Sequence, residues 1–274
     1  MRDRERLAIG DPRRLYERAA TASGAFLPIW HLDRGRGLFV GPLTYNAPHA
    51  HSVPVYLAGL YEAFGLRVAG GAWIRCRTAV VPAGVSYELD VGGSPIAVLY
   101  LEPNEAGAHA LAPLVRGACD ERGALIGDDG EIALLRDLYE TSSGAGAVGD
   151  ALDSLIAFSK PRAKRPLDGR VARAVVLLSE RAQDAMPAAD VARSVGLSSS
   201  RFQHLFAEEV GVPFRRFRVW QRLRAAIGEI VAGSTFTEAA HAAGFADQAH
   251  FARQFRLTFG APASPSLRKV RRAS

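Results

Sequence analysis

One run of text occurs twice in the last hundred residues, and it restricts that part of the chain to a paired helical scaffold. The first copy reads Ala192-Arg193-Ser194-Val195-Gly196, followed by Phe202, Phe206, Gly211 and Pro213. The second reads Ala240-His241-Ala242-Ala243-Gly244, followed by Phe251, Phe255, Gly260 and Pro262. Both share A-x-x-x-G and then F-x-x-x-F-x-x-x-x-G-x-P. A small residue lets one helix cross another closely, a glycine turns the chain, and two aromatics four apart anchor one face of the next helix. The repeat keeps these and changes its polar residues, so one scaffold is presented twice with different surfaces.

Charge divides the chain in the same place. The net charge is +6, but residues 1–158 carry −5, residues 159–167 carry +4 and residues 168–274 carry +7. A basic rear behind a mildly acidic front points to a polyanionic partner for the rear only. At 274 residues, 48% apolar and 23% charged, the chain has the composition of two globular domains. The N-terminus, Met1-Arg-Asp-Arg-Glu-Arg-Leu, lacks a signal peptide's apolar stretch, and no run of eighteen apolar residues suggests a membrane span. Cys76 and Cys119 are too few for a disulfide or metal framework and read as small core hydrophobes. A cytoplasmic setting without cofactor is expected.

The expected architecture is α+β and multidomain. Residues 37–101 alternate short apolar runs with Gly/Pro breaks, from Gly37-Leu-Phe-Val to Ile96-Ala-Val-Leu-Tyr-Leu, the pattern of a β-sandwich or barrel. Spacings of three and four then predict helices over 106–118, 132–139 and 148–158. These offer a homodimer seam or, equally, cover for their own sheet. Residues 159–167 read as a basic linker between a front domain, 1–158, and an all-α domain, 168–274. In the latter, Ser198, Thr235 with Glu238, and Asp247 have the spacing of helix N-caps. Gly196 and Gly211 suit helix ends, and a long helix spans roughly 213–232.

Opposite the aromatic stripe, the first copy shows Ser200, Arg201, Gln203 and His204; the second shows Gln248, Ala249, His250 and Arg253. Hydrogen-bonding side chains near helix N-termini suit base edges in a DNA major groove. On one helix they would be ordinary solvated residues; two copies in a basic segment argue otherwise. Arg253 can bond O6 and N7 of one guanine together. Ser198, Thr235, Arg215, Arg216 and Arg218 suit phosphate contacts or solvated charge.

Over residues 168–270 the chain resembles the AraC/XylS family of transcription regulators. Gly211-Val-Pro-Phe-Arg-Arg-Phe-Arg-Val-Trp-Gln-Arg-Leu-Arg-Ala-Ala is similar to that family's central linker helix. Ala239-Ala-His-Ala-Ala-Gly-Phe-Ala-Asp-Gln-Ala-His-Phe-Ala-Arg-Gln-Phe is similar to its signature second motif. The resemblance implies two subdomains on one long helix, entering successive major grooves of double-stranded promoter DNA. Ser200, Gln203 and His204 would face bases from the first, and Gln248, His250 and Arg253 from the second. Arg222 matches the family's recurrent arginine, in a structural or backbone-directed role. RNA polymerase is implied as a partner if the chain activates.

The front half resembles the cupin-like sensing and dimerisation domain of that family. His49-Ala-His51 resembles the His-x-His of metal cupins, but Pro54-Val-Tyr-Leu stands where a third ligand is expected. Tyr87 follows Pro82-Ala-Gly84 where the second cupin motif has a histidine. Two imidazoles make a poor site, so no metal is expected; His49, His51, Trp73 and Tyr87 instead suggest a small-molecule effector pocket. The alternative is a metal-dependent cupin-type enzyme fused to a DNA-binding module. No Ser/His/Asp set, CxxC or phosphate loop supports it, and no enzyme is expected. A third reading makes the front half a dimerisation unit alone.

Overall fold

The computed structural model describes residues 26–33, 35–106, 110–141, 145–159, 167–184 and 186–267. Its front half is two antiparallel sheets rather than a closed barrel. The larger has seven strands in the order β1-β2-β9-β4-β7-β12-β11; the smaller has four, in the order β3-β8-β5-β6. In the large sheet β1 is Ile29–Asp33, β2 Arg36–Pro42, β4 Val55–Gly59, β7 Thr78–Val81, β9 Pro95–Leu101, β11 Cys119–Glu121 and β12 Ala124–Gly127. In the small one β3 is Tyr45–His49, β5 Phe64–Val68, β6 Trp73–Cys76 and β8 Tyr87–Asp90.

The unbroken apolar run of β9 follows from its central position. Ile96, Val98 and Tyr100 point towards the small sheet, while Ala97, Leu99 and Leu101 point the other way, under helices. A strand buried on both faces loses the alternation that β5 keeps, where Phe64, Leu66 and Val68 are buried and Gly65 and Arg67 are not. The covering helices are α2 (Ala133–Glu140) and α3 (Ala145–Ser159), after a short α1 (Pro103–Ala106). Leu135, Leu138, Val148, Leu152 and Leu155 all join the core beneath them. Their apolar stripes are thus occupied by their own sheet.

Of the helix expected over 106–118, the described residues 110–118 form no part: they hold a 3-10 turn, Ala112–Leu114, and a two-residue strand β10, Val115–Arg116, paired with β13, Asp129–Gly130. Pro113 has no N–H to donate, and Gly117 holds a backbone angle that ends any helix there. The hairpin β11–β12, a segment for which the spacing gives no expectation, pairs with β7 and extends the sheet. Cys76 is buried in the core as expected, whereas Cys119, on the edge strand β11, is exposed.

In the rear half α4 (Gly169–Glu180) is followed by α5 (Ala188–Ser194) and α6 (Ser199–Val210), the first helix–turn–helix. α7 (Phe214–Ala232) leads to α8 (Phe236–Ala242) and α9 (Gln248–Phe259), the second, and α10 (Ala263–Leu267) closes the described chain. Ser198 and Asp247 accept from backbone N–H groups three residues on, and Thr235 with Glu238 forms a reciprocal capping box. Residues 160–166, the centre of the expected linker, lie outside the described residues. The apolar core runs unbroken from between the two sheets into the helical bundle, joining Trp30, Phe39 and Tyr100 to Phe255, Phe259 and Trp220.

Candidate nucleic-acid interface

α6 and α9 are built alike. Phe202 and Phe206 of α6, and Phe251, Phe255 and Phe259 of α9, are buried and stack in series along each helix. With that face turned inward, helical periodicity turns Ser200, Arg201, Gln203 and His204 outward on α6, and all four are exposed. On α9 Gln248, Ala249 and Arg253 are exposed. His250 is half-buried, its ring edge-on to Phe245 at 5.3 Å.

Two of the amides are already engaged. Gln203 Nε2 donates back to Ser199, and the Thr237 hydroxyl donates to Gln248 Oε1 at 3.0 Å. Thr237, exposed at the start of α8, therefore positions Gln248, a residue that sequence reasoning missed. The side chains of Arg201, His204 and Arg253 have no hydrogen-bond partner among the described residues and are turned to solvent. Arg256, one turn beyond Arg253, is equally exposed; the three-residue spacing from Arg253 is the signal that could have found it.

The arginines of α7 divide by position. Arg215 is exposed. Arg216 turns towards the front half, where its Nη2 donates to the Ala50 carbonyl at 2.6 Å while its own carbonyl accepts from the Ser52 hydroxyl. Arg218 is buried and donates to the carbonyls of Met186 and Asp184, clasping the connection between α4 and α5. Burial lowers the pKa of both guanidiniums. Arg222 lies against the turn of the second helix–turn–helix, where a side chain at Gly244 would meet its guanidinium at about 3.5 Å. Arg224 donates to Glu102, which is fully buried and also accepts from Trp220 Nε1 at 3.2 Å. Ser198 and Thr235, both exposed, have their hydroxyls committed to caps.

The front half meets this unit through β3 of the small sheet, β1 of the large sheet and the loops beside them. Both helix–turn–helix copies end in a left-handed glycine, which an L side chain would strain, and both glycines touch the sandwich. Gly211 approaches Ala83 and Gly84; the carbonyl of Gly260 accepts from Ala47 N at 3.0 Å. Asn46 Nδ2 donates to the last carbonyl of α9, that of Phe259, at 2.9 Å. Trp30 Nε1 donates to the Ser266 carbonyl in α10.

Beside this seam lies a cleft lined by Trp30, Phe39, Tyr87 and Tyr100 from the sheets and by Phe255 and Phe259 from α9. Of the four residues expected in an effector pocket, Tyr87 lines it. His49 and His51 lie immediately behind, both buried, with ring centres 4.3 and 5.7 Å from that of Tyr87. Burial lowers the pKa of His49 to about 4 and that of His51 well below the usual imidazole value; His49 and Arg216 push His51 further down. Trp73 is elsewhere. It sits exposed on the outer face of the small sheet, under the Arg67 guanidinium at 5.0 Å, because the pleat of β6 turns it away from the core. Trp30, Tyr100, Phe255 and Phe259 escaped sequence reasoning, since they reach the cleft from elements far apart in the chain. Among the described residues no cluster of three or more His, Cys, Asp or Glu is placed to hold a metal, and no helix is long and apolar enough to cross a membrane.

Residues 191–269 match a family model described as a helix-turn-helix domain. No curated protein matches the chain. Among solved structures it is similar in fold to ToxT from Vibrio cholerae. An apo form is 14% identical with a TM-score of 0.61, covering 88% of this chain and 99% of that one. The wild-type protein bound to an unsaturated fatty acid is 11% identical with a TM-score of 0.56, covering 90% and 94%. A third form, bound to a naphthalenyl-butenoic acid, is 12% identical with a TM-score of 0.58, covering 86% and 99%.

Proposed function

We propose, on the premise that residues 191–269 are an AraC/XylS-type helix–turn–helix domain and the chain a DNA-binding transcription regulator, that α6 and α9 enter two successive major grooves of promoter DNA. The observation that carries this reading is the equivalence of the two helices: each buries a phenylalanine stripe and exposes a different polar ridge. The nineteen residues of α7 span about 28 Å at about 1.5 Å per residue. That scale suits recognition elements about 34 Å apart, one turn of the duplex.

In this reading Ser200, Arg201, Gln203 and His204 face the first half-site, and Gln248, His250 and Arg253 the second. Arg253 is the principal determinant, because an unpartnered guanidinium on an exposed ridge can bond a guanine bidentately. Ser198, Arg215 and Thr235 contact the backbone, with Arg222 supporting the second turn from beneath. The engagement of Arg216 and Arg218 within the protein assigns them to holding its parts together. The front half is the effector domain, as ToxT's acid-bound forms suggest by analogy of fold; the remaining partners are RNA polymerase, if the chain activates, and a second copy of itself. A cytoplasmic setting follows from that role.

Fluorescence anisotropy with cognate and scrambled duplexes tests the assignment. Arg253→Ala is expected to lose about 1–3 kcal/mol of discrimination at one base pair. Arg215→Ala should weaken both duplexes alike and reduce the salt dependence. Unchanged discrimination in Arg253→Ala removes that residue from the interface.

A further inference from the structure

We infer that the aromatic cleft between the small sheet and α9 is an effector site for a compact, uncharged, planar aromatic molecule carrying a hydrogen-bond-accepting oxygen. This rests on the regulator reading above and names the chemistry of its signal.

Three observations carry it. First, six of the twelve lining residues are aromatic, Trp30, Phe39, Tyr87, Tyr100, Phe255 and Phe259, and flat apolar surfaces hold a flat apolar guest by offset or edge contacts. Second, Tyr87 and Tyr100 both line the cleft, and their phenol hydroxyls have no hydrogen-bond partner among the described residues. An oxygen acceptor on a bound molecule would supply each with one. Burial also raises the pKa of both phenols, so both stay protonated and able to donate. Third, no charged side chain lines the cleft. The imidazole behind it, His51, is held neutral by burial. A carboxylate placed there would lose its hydration without gaining a cation, which disfavours it strongly. The space within, open mouth included, is about 370 Å³, which sets an upper limit on the guest.

The chemistry therefore departs from that of ToxT, whose solved complexes carry acids. The departure is testable with a pair of molecules that differ in charge and little else. Isothermal titration of the full chain with methyl 4-hydroxybenzoate, 4-hydroxybenzoate and oleate, at pH 7.5, separates the classes. The neutral ester is expected to bind stoichiometrically and at least about tenfold more tightly than either acid. Tyr100→Phe and Tyr87→Phe keep the rings and remove the donors. Each should weaken the ester about tenfold, the loss of one buried hydrogen bond, while leaving the unliganded melting temperature within a few degrees. Tighter binding of either acid overturns the inference, as does absence of ester binding or an affinity indifferent to both substitutions. DNA anisotropy on the same samples keeps the two levels apart. Intact duplex binding with no ester binding sinks the effector chemistry alone; absence of duplex binding sinks the regulator reading.

Discussion

The first helix–turn–helix and the second are copies in sequence and in fold, yet the sandwich holds them differently. α6 ends at Gly211, which merely approaches Ala83 and Gly84. α9 ends under two hydrogen bonds from β3, and its last two phenylalanines, Phe255 and Phe259, belong at once to the helical core and to the cleft. Duplication thus supplies two equivalent helices with exposed polar ridges, and tertiary contact makes them inequivalent. The sandwich thus holds the end of α9 by hydrogen bonds and that of α6 by close packing at Gly211.

That contrast is broken most forcefully at Phe259. Truncation to alanine should cost about 3–5 kcal/mol. Because Phe259 joins the two halves of one core, Phe259→Ala should also split a single calorimetric transition into two. Phe202→Ala, confined to the first copy, should cost a similar amount and leave one transition. Glu102→Ala comes next. It leaves Arg224 and Trp220 facing a buried void where a carboxylate held them, and a loss of about 3 kcal/mol is expected from urea denaturation. A fall near zero would show that the pair contributes no stability across the seam.

Acid should act on the same side of the comparison. The folded pKa of His49 is about 4 and that of His51 is well below 6.5. Above pH 6.5 both are neutral in folded and unfolded chains, so their contribution is complete. As pH falls below 6.5 the unfolded chain takes up protons first, and stability declines; for His49 the loss levels off near pH 4. His49→Gln with His51→Gln should flatten this decline in melting curves collected between pH 7.5 and 4.5, and an undiminished slope would assign the acid sensitivity elsewhere. The smallest effects are at the caps. Ser198→Ala and Asp247→Ala should each cost about 1 kcal/mol, and similar values would show the two copies to be energetically alike at the N-termini of α6 and α9.

Much of the rear half is legible in the sequence. The caps at Ser198, Thr235 and Asp247, the glycine stops and the buried phenylalanines obey local rules, in which a side chain satisfies a backbone group within four residues of itself. The outward ridges of α6 and α9 follow from the same periodicity. Less of the front half can be read that way. Spacing alone does not separate an amphipathic helix over 106–118 from turns and short strands when Pro113 and Gly117 interrupt it. Trp73 and Tyr87 have similar side chains and opposite surroundings, because the pleat of a strand, set by its pairing partners, decides which face each occupies.

The sequence by itself determined that two copies of one helical scaffold present different polar ridges, since period, caps and aromatic stripe are properties of short segments. The tertiary structure alone decided that Arg216 and Arg218 donate to carbonyls of the protein itself. It also brought Trp30, Tyr100 and Phe259, residues up to 229 positions apart in the chain, to line one cleft. Such contacts depend on how separate surfaces come together, and no local pattern encodes that.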